Sequence, residues 1–435
     1  MNWARIRREP ALPVAFFGIC AALLGFVREQ VIAARLGLSI STDAFYLALT
    51  VCTFLPGLIN GASMGILAPY HARAVKEGGE AAGKERLGQM LQTCLLMGLA
   101  AIGILAVFGS IAYPFLAAVR NVEKLRLTAA LAGLLSLAIP SICLSVVAVA
   151  SLNVLGKYVL GGASTLIAPI VATTVLYFVP AGPWAAAGGL VLGLNLQAGL
   201  LLWGLRRQGV SLRQRIPGAT WKVTLRDMGH LAVGALVVNI SAPIIQGIVA
   251  THGARSTSTY NFGIKITTAS LGLSALFFST LLNPIFAARA AGLPYSAKRL
   301  RTYLWLAVIS SLALSTLLVV EATPLIRLFL RRGVFSENDV ALVAKVHMYA
   351  ALQIPFYMFS FLMMRMVSSY QDTRFISRMS WVQMISTLSL AWPLHTLMGV
   401  QGLLLANALA YGISGACYSW RYRHLRTLGI SGARA

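Results

Sequence analysis

The feature that most constrains this chain is a succession of long apolar runs separated by short polar connections. A membrane-spanning helix needs roughly 20 mostly apolar residues, whereas strands of a membrane barrel are alternating segments of about ten residues. Twelve runs are long enough for helices: 11–36, 43–71, 87–116, 127–155, 158–180, 184–206, 229–251, 261–290, 300–328, 340–370, 374–398 and 399–421. We therefore predict an all-α, polytopic membrane protein with about 12 transmembrane helices.

Composition excludes an ordinary soluble domain. Charged residues make up only 11% of the chain and hydrophobic residues 58%, whereas soluble proteins carry about 25% charged residues. The net charge of +24 does not indicate nucleic acid, because no basic stretch carries interleaved aromatic side chains that would stack on bases. Anionic headgroups of the lipid bilayer are a sufficient partner for the basic loops.

The distribution of basic residues predicts the orientation. With the N-terminus inside, 24 of the 36 Lys and Arg residues fall in cytoplasmic segments, as the positive-inside rule requires. Both termini are therefore predicted to be cytoplasmic. The first run is too long to be a cleavable signal peptide and leads straight into another span, so we expect it to stay.

Motifs for catalysis or cofactor binding are absent from the sequence. The five cysteines lie singly within apolar runs and are interpreted as small hydrophobic residues. There is no P-loop, HExxH or nucleophile elbow. We predict a protein that is not an enzyme and has no metal or other cofactor, and we leave open a coupling ion or the membrane potential as the driving force.

An internal repeat relates the two halves of the chain. Ser41–Phe45 is matched by Ser256–Tyr260, Pro69 by Pro284, and the LAIP sequence at 137–140 by LQIP at 352–355, all at an offset of 215 residues. Two six-helix lobes in parallel orientation are typical of transporters that bind substrate between their lobes near the midplane and rock one lobe against the other. The predicted divisions are an N-lobe (1–206), a basic cytoplasmic linker (207–228), a C-lobe (229–421) and a cytoplasmic tail (422–435).

Prolines within the predicted spans indicate bends, because proline removes a backbone donor and kinks a helix. The eight are Pro56, Pro69, Pro140, Pro169, Pro243, Pro284, Pro324 and Pro355.

Charges within the apolar runs are the candidate functional residues. Arg28 lies 17 residues after Ala11, about 25 Å along a helix, and a charge at that depth turns inward to a partner or a water-filled cavity. One interpretation is an ion pair with Glu29 or Asp43 that holds the first two helices together. The other is that Arg28 binds an anionic headgroup of a substrate.

Three further cations occupy unusual places. Lys265 lies early in the eighth span and either lines the cleft or extends to the outer interface. Arg365 is near the cytoplasmic end of the tenth span, where snorkelling also explains it. Arg255 is in the outer loop before the eighth span and either recruits anions or is merely solvated. In the segment 325–340, Ser336 and Asp339 predict a helix cap. The arginines before them, Arg327, Arg331 and Arg332, indicate either an amphipathic turn that rests in anionic headgroups or ordinary snorkelling at the end of a span.

The sequence GFVREQVIAARLG (25–37) followed by STDAFYLAL (41–49) resembles the start of the MurJ/MviN family of lipid-linked peptidoglycan precursor flippases, within the MATE-like MOP exporter superfamily. LIRLFLRRGVFSENDV (325–340) resembles the segment after that family's ninth helix, and Arg365 with QDTR (371–374) resembles the end of its tenth. The resemblance implies two six-helix lobes around a cationic cavity that binds the diphosphate of a polyprenyl-linked sugar. It also implies that the protein lies in the bacterial cytoplasmic membrane and that its partners are proteins of envelope glycan synthesis.

Carried over by motif, Arg28 and Asp43 match residues important in the family, and Lys265 stands where the family usually has Arg. Lipid II members also carry an Arg where this chain has Ala22, an Arg pair where it reads PGLING (56–61), and two C-terminal helices beyond the twelfth. The resemblance therefore leaves two cargoes open, lipid II and a polysaccharide repeat unit. Two other classes remain: a cation-coupled small-molecule exporter, for which Glu29, Asp43 and Glu321 are the candidate acids, and a non-transporting scaffold.

Overall fold

A computed structural model describes residues 11–116, 122–212, 218–290, 294, 296–370 and 372–427 of the chain. The helices in the first part of the chain are α1 (Ala11–Leu36), α2 (Ile40–Leu116), α3 (Val122–Ser136), α4 (Ile139–Val154), α5 (Tyr158–Ser164), α6 (Ile167–Phe178), α7 (Pro183–Arg207), α8 (Gly218–Asn239) and α9 (Ser241–Thr251). Those in the second part are α10 (Ser256–Ala290), α11 (Ala297–Val320), α12 (Ala322–Leu330), α13 (Glu337–Ala351), α14 (Gln353–Ser368), α15 (Thr373–Met398) and α16 (Val400–Thr427).

The helices account for the twelve predicted spans. Within the described residues, nine helical stretches are long and apolar enough to cross a membrane, or ten if α3 and α4, bent by 45°, form one span. α2 is two helices joined at Gly78 and Gly79, whose backbone is not helical, and dividing it there adds one span. α15, with 26 residues, has the length of a span although Arg374 and Arg378 lower its hydropathy. The predicted all-α polytopic fold is confirmed.

Five of the helix breaks lie just before prolines. New helices begin at Ile139, Ile167, Ser241, Ala322 and Gln353, one or two residues ahead of Pro140, Pro169, Pro243, Pro324 and Pro355. Proline is well tolerated in the first turn of a helix, where its missing N–H has no intrahelical acceptor. Its ring also disfavours the helical conformation of the preceding residue. Five of the predicted bends are thus breaks, whereas Pro56, Pro69 and Pro284 lie inside continuous helices.

The repeat offset recurs in the helix boundaries. α3 spans 122–136 and α13 spans 337–351, so both ends are displaced by the 215 residues seen in the sequence. Each helix is followed by a break and a 16-residue helix, α4 or α14. The local pattern of an apolar helix, a short break and a proline in the next first turn therefore dictates the same element twice.

The chain contacts divide it into two compact units: unit 1 is 1–255 with 332–334, and unit 2 is 256–331 with 335–435. Residues 332–334 count with unit 1 because the Val334 N–H donates to the Ala34 carbonyl at 3.0 Å. The unit boundary differs from the predicted lobe boundary, since α8 and α9 pack in unit 1. Contact units are not symmetry-related lobes, so the division into lobes at 206 and 229 stays a prediction.

A seam of glycines explains why α8 packs on α2. A Cβ atom added at Gly57, Gly61 or Gly65 would meet Asn239, Ala235 or Leu231, respectively. Both sets are spaced by four residues and run in opposite directions, so two antiparallel helices approach closely through small residues.

α8 begins at Gly218, so the predicted linker is helical from that residue to its end at 228. Residues 213–217, residue 371 and the predicted tail from 428 onwards lie outside the described residues.

The segment around Ser336 has the predicted amphipathic helix and cap. α12 buries Ala322, Ile326 and Leu330, which are spaced by four residues along one face. Ser336 and Asp339 form a reciprocal capping box at the start of α13. Arg327 and Arg331 both pair with Glu337, which is half exposed, and a contact of these arginines with headgroups stays a prediction.

Candidate functional site

The sequence RE at 28–29 forms a charged cluster within the apolar helix α1. Arg28 Nη2 donates to Glu29 Oε1 at 2.7 Å, and the Tyr46 hydroxyl, from α2, donates to Glu29 Oε2. Glu29 is buried, whereas the Arg28 side chain remains 19% exposed. The carboxylate is therefore anchored to α2 while the guanidinium keeps access to its surroundings. Of the two predicted ion pairs for Arg28, the structure contains the one with Glu29.

Arg28 has donors left over after this pairing. A guanidinium carries five N–H donors in a fixed fork. Among the residues that the structure describes, the buried Nε of Arg28 has no hydrogen-bond partner. A buried donor without an acceptor costs about 1–3 kcal/mol. Because Nε is shielded from solvent, only the part of the Arg28 side chain that remains exposed can meet an incoming anion.

Asp43 pairs with a residue that sequence reasoning missed. Lys124 Nζ lies 2.6 Å from Asp43 Oδ2, and both side chains are buried. Asp43 is in the first turn of α2 and Lys124 in the first turn of α3. The positive end of a helix dipole favours the carboxylate and disfavours the ammonium, so Lys124 depends on Asp43 for compensation. Lys124 lies just before an apolar run, and a charge at such a position is usually solvated. In the sequence, only the need of Asp43 for a cationic partner could have indicated that Lys124 is buried.

The three remaining predicted site residues differ in environment. Arg255 is exposed and has φ of 72°, a left-handed conformation, immediately before α10. Lys265 is partly buried on α10 of unit 2. Arg365 lies on α14 of unit 2, with its guanidinium carbon 5.3 Å from the centre of the Phe361 ring. Its buried Nε has no partner within the described part of the chain. The structure thus brings Arg28 and Glu29 together in unit 1 and pairs Asp43 elsewhere in that unit.

Comparison with known proteins identifies the family. A family model described as "Lipid II flippase MurJ" matches residues 32–432, nearly the whole chain. The chain belongs to the MurJ family. It is therefore a multi-pass membrane protein of a transporter family, as the resemblance implied.

Individual MurJ relatives are distant. The chain is 24% identical over 411 residues to a probable lipid II flippase MurJ of Rhizobium meliloti, covering 89% of this chain and 75% of the relative. It is 22% identical over 457 residues to a probable lipid II flippase MurJ of Synechocystis, covering 96% of this chain and 82% of the relative.

Solved structures confirm the predicted fold. The structure of lipid II flippase MurJ in an inward closed conformation aligns with a TM-score of 0.82 at 18% identity, over 97% of this chain and 90% of the other. An inward-facing multidrug resistance MATE family transporter of the MOP superfamily aligns with a TM-score of 0.74 at 14% identity, over 95% and 96%. MurJ and MATE transporters therefore share this architecture.

Proposed function

We propose that this MurJ-family chain is a flippase of the bacterial cytoplasmic membrane that moves a polyprenyl-diphosphate-linked saccharide to the outer face by alternating access. Lipid II is the cargo that the family supports best. The observation that carries the proposal is Arg28, a partly exposed cation within an apolar helix whose Nε has no partner among the described residues. Charge at that depth costs about 2.5–3.5 kcal/mol on insertion scales, so a role with an anion justifies its presence.

A diphosphate fits the donors that Arg28 offers. Phosphate oxygens accept two parallel N–H bonds from a guanidinium, and such charge-assisted bonds are roughly twice as strong as neutral ones. Glu29 occupies Nη2 and is itself held by Tyr46, so the carboxylate orients the guanidinium. The exposed part of the Arg28 side chain is the part that would meet the ligand. Lys265 and Arg365, both in unit 2, remain proposed substrate-binding cations, and Arg255 is proposed as one that recruits the headgroup.

The test measures lipid II translocation in bacterial cells depleted of their resident flippase. The readout is the fraction of radiolabelled lipid II that a membrane-impermeant reagent reaches, with membrane levels of each variant checked by immunoblot. Arg28→Ala should abolish transport, and Arg28→Lys should retain part of it, because the charge stays while the bidentate fork is lost. Arg35→Ala is the matched control: Arg35 is an exposed arginine on the same helix that donates to the Tyr177 carbonyl, and its loss should leave transport intact.

Other outcomes would select other functions. Normal transport by Arg28→Ala would remove the principal support for the proposal. If Glu29→Gln, present at a normal membrane level, stops transport while Arg28→Ala does not, a cation-coupled exporter is the better explanation. Translocation of a polyprenyl-diphosphate-linked polysaccharide unit, but not of lipid II, would assign the cargo to polysaccharide synthesis.

A further inference from the structure

The helical hairpin of α15 and α16 in unit 2 carries an excess of positive charge. Residues 373–427 contain five arginines and no Asp or Glu. One arginine is compensated, because Arg421 Nη2 lies 2.8 Å from Oδ2 of Asp372, the residue that caps α15. The other four are exposed, and none of them forms an ion pair within the described part of the chain: Arg374, Arg378, Arg423 and Arg426. The hairpin therefore carries four positive charges without a counter-ion from those residues.

The packing of the two helices brings these arginines to one end of the hairpin. The rings of Phe375 and Tyr418 meet edge to face with their centres 6.0 Å apart, and Asp372 pairs with Arg421. In these two contacts the residue number rises on α15 as it falls on α16, so the helices are antiparallel. The first turn of α15 is therefore level with residues 418–421 of α16, on the predicted cytoplasmic side of the membrane.

The exposed face of α15 changes from apolar to basic towards this end. Trp392, Ile385 and Trp381 are exposed large apolar side chains. Arg378 and Arg374 are exposed too and continue the same face, because side chains spaced by three, four or seven residues lie on one side of a helix. An exposed apolar face on a membrane-spanning helix contacts lipid, and arginines at its end extend to the headgroups.

The exposed face of α16 repeats this change. Leu409 and Ile413 are exposed and apolar, Trp420 follows with 64% of its surface exposed, and Arg423 comes next on the same face. Tryptophan side chains are enriched where the membrane meets water. Since Trp420 is level with the first turn of α15, the headgroup region coincides with Arg374.

We infer that this end of the hairpin binds the phosphate of an anionic phospholipid, phosphatidylglycerol, from the surrounding bilayer. Arg374 and Arg378 lie four residues apart on one face, where like charges repel. They also lie in the first two turns of α15, where the positive end of the helix dipole adds to that repulsion. A phosphate relieves both effects and accepts paired N–H bonds from a guanidinium. A phospholipid is favoured over the transported lipid because both arginines end a face that is exposed to the bilayer.

The experiment titrates two phospholipids with identical acyl chains onto the purified full-length chain in detergent. Phosphatidylglycerol is the anionic probe and phosphatidylethanolamine the zwitterionic one, and native mass spectrometry gives the bound fractions. The unchanged chain should prefer phosphatidylglycerol. Arg374→Gln and Arg378→Gln should each weaken its binding about fivefold, and the double variant about 25-fold, as expected for basic groups near an anionic headgroup. Binding of phosphatidylethanolamine should not change.

A matched control removes two other exposed cations on the predicted cytoplasmic side. Arg73→Gln combined with Lys76→Gln deletes the same amount of charge, but here glutamates follow at Glu77 and Glu80. This double variant should bind phosphatidylglycerol within about twofold of the unchanged chain, because the local charge is already balanced. An equal loss in the control and in the arginine double variant would show that binding follows total charge, and would overturn the site.

Three further outcomes would overturn the inference. The first is equal affinity of the unchanged chain for the two phospholipids. The second is normal phosphatidylglycerol binding by the Arg374 and Arg378 variants, which would leave these arginines merely solvated. The third is weaker binding of undecaprenyl diphosphate, but not of phosphatidylglycerol, by the double variant, which would assign the arginines to the transported lipid.

The proposed function can fail without this inference failing. Arg28→Ala should bind phosphatidylglycerol as the unchanged chain does, since Arg28 lies in unit 1 and the hairpin in unit 2. Melting temperatures identify a misfolded variant, and the two single substitutions decide the question if the double variant misfolds.

Discussion

Lys124 Nζ and Asp43 Oδ2 lie 2.6 Å apart in an ion pair whose side chains are 1% and 0% exposed. The lysine also approaches the Gly253 carbonyl at 3.5 Å. The pair joins the first turn of α2 to the first turn of α3, 81 residues along the chain. Asp43, which matches a residue important in the family, therefore pairs with another residue of the same chain.

Breaking this pair should destabilise the protein strongly. Removing one partner of a buried ion pair leaves an uncompensated charge and costs about 3–5 kcal/mol. Asp43→Asn and Lys124→Met should each lower the melting temperature of the purified protein, and the exchange Asp43→Lys with Lys124→Asp should recover part of the loss. Arg327→Ala, which breaks a half-exposed pair with Glu337, should change it little.

If the exchanged variant is stable and transports lipid II, Asp43 acts through its pairing. A stable exchanged variant without transport would instead assign Asp43 a role of its own in the transport cycle.

The glycine seam between α2 and α8 should tolerate substitution unevenly. A Cβ at Gly61 would lie 3.0 Å from the Ala235 Cβ, whereas one at Gly57 would have an ordinary contact of 3.6 Å with Asn239. Gly61→Val should therefore force the helices apart and lower the free energy of unfolding by about 1–3 kcal/mol. Gly57→Ala is the control and should be nearly neutral. Thermal denaturation in detergent distinguishes them, and equal melting temperatures would refute close packing at this seam.

Topology can be tested at exposed positions. Glu80 and Ala254 are both exposed, and the positive-inside rule puts the first in the cytoplasm and the second outside. In a variant without native cysteines, Glu80→Cys should be shielded from a membrane-impermeant thiol reagent in intact cells and Ala254→Cys should react. The reverse labelling pattern would contradict the predicted orientation of both termini.

Lys265 should respond to substitution according to charge. Lys265→Ala should reduce lipid II transport, because a cation proposed for the diphosphate is lost, and Lys265→Arg should be tolerated since it keeps the charge and adds donors. Lys298→Ala, an exposed cation at the start of α11, is the control. Normal lipid II transport by the Lys265→Ala variant would show that Lys265 does not take part in binding the substrate.

The sequence by itself determined what depends on local chemistry. Twelve apolar runs specify the spans because a helix satisfies its own backbone hydrogen bonds in lipid. Prolines mark where α4, α6, α9, α12 and α14 begin, and Ser336 with Asp339 marks the start of α13. The position of Arg28 within an apolar run also follows from the sequence, whereas its pairing with Glu29 rather than Asp43 was decided by the structure.

Only the tertiary structure decided which distant groups meet. Sequence reasoning offered Arg28 as a partner of Asp43, whereas the structure pairs Asp43 with Lys124 because α2 and α3 place their first turns side by side. α8 joined unit 1 through Gly57, Gly61 and Gly65. Such contacts depend on how helices pack in three dimensions, and hydropathy along the chain carries no information about that choice.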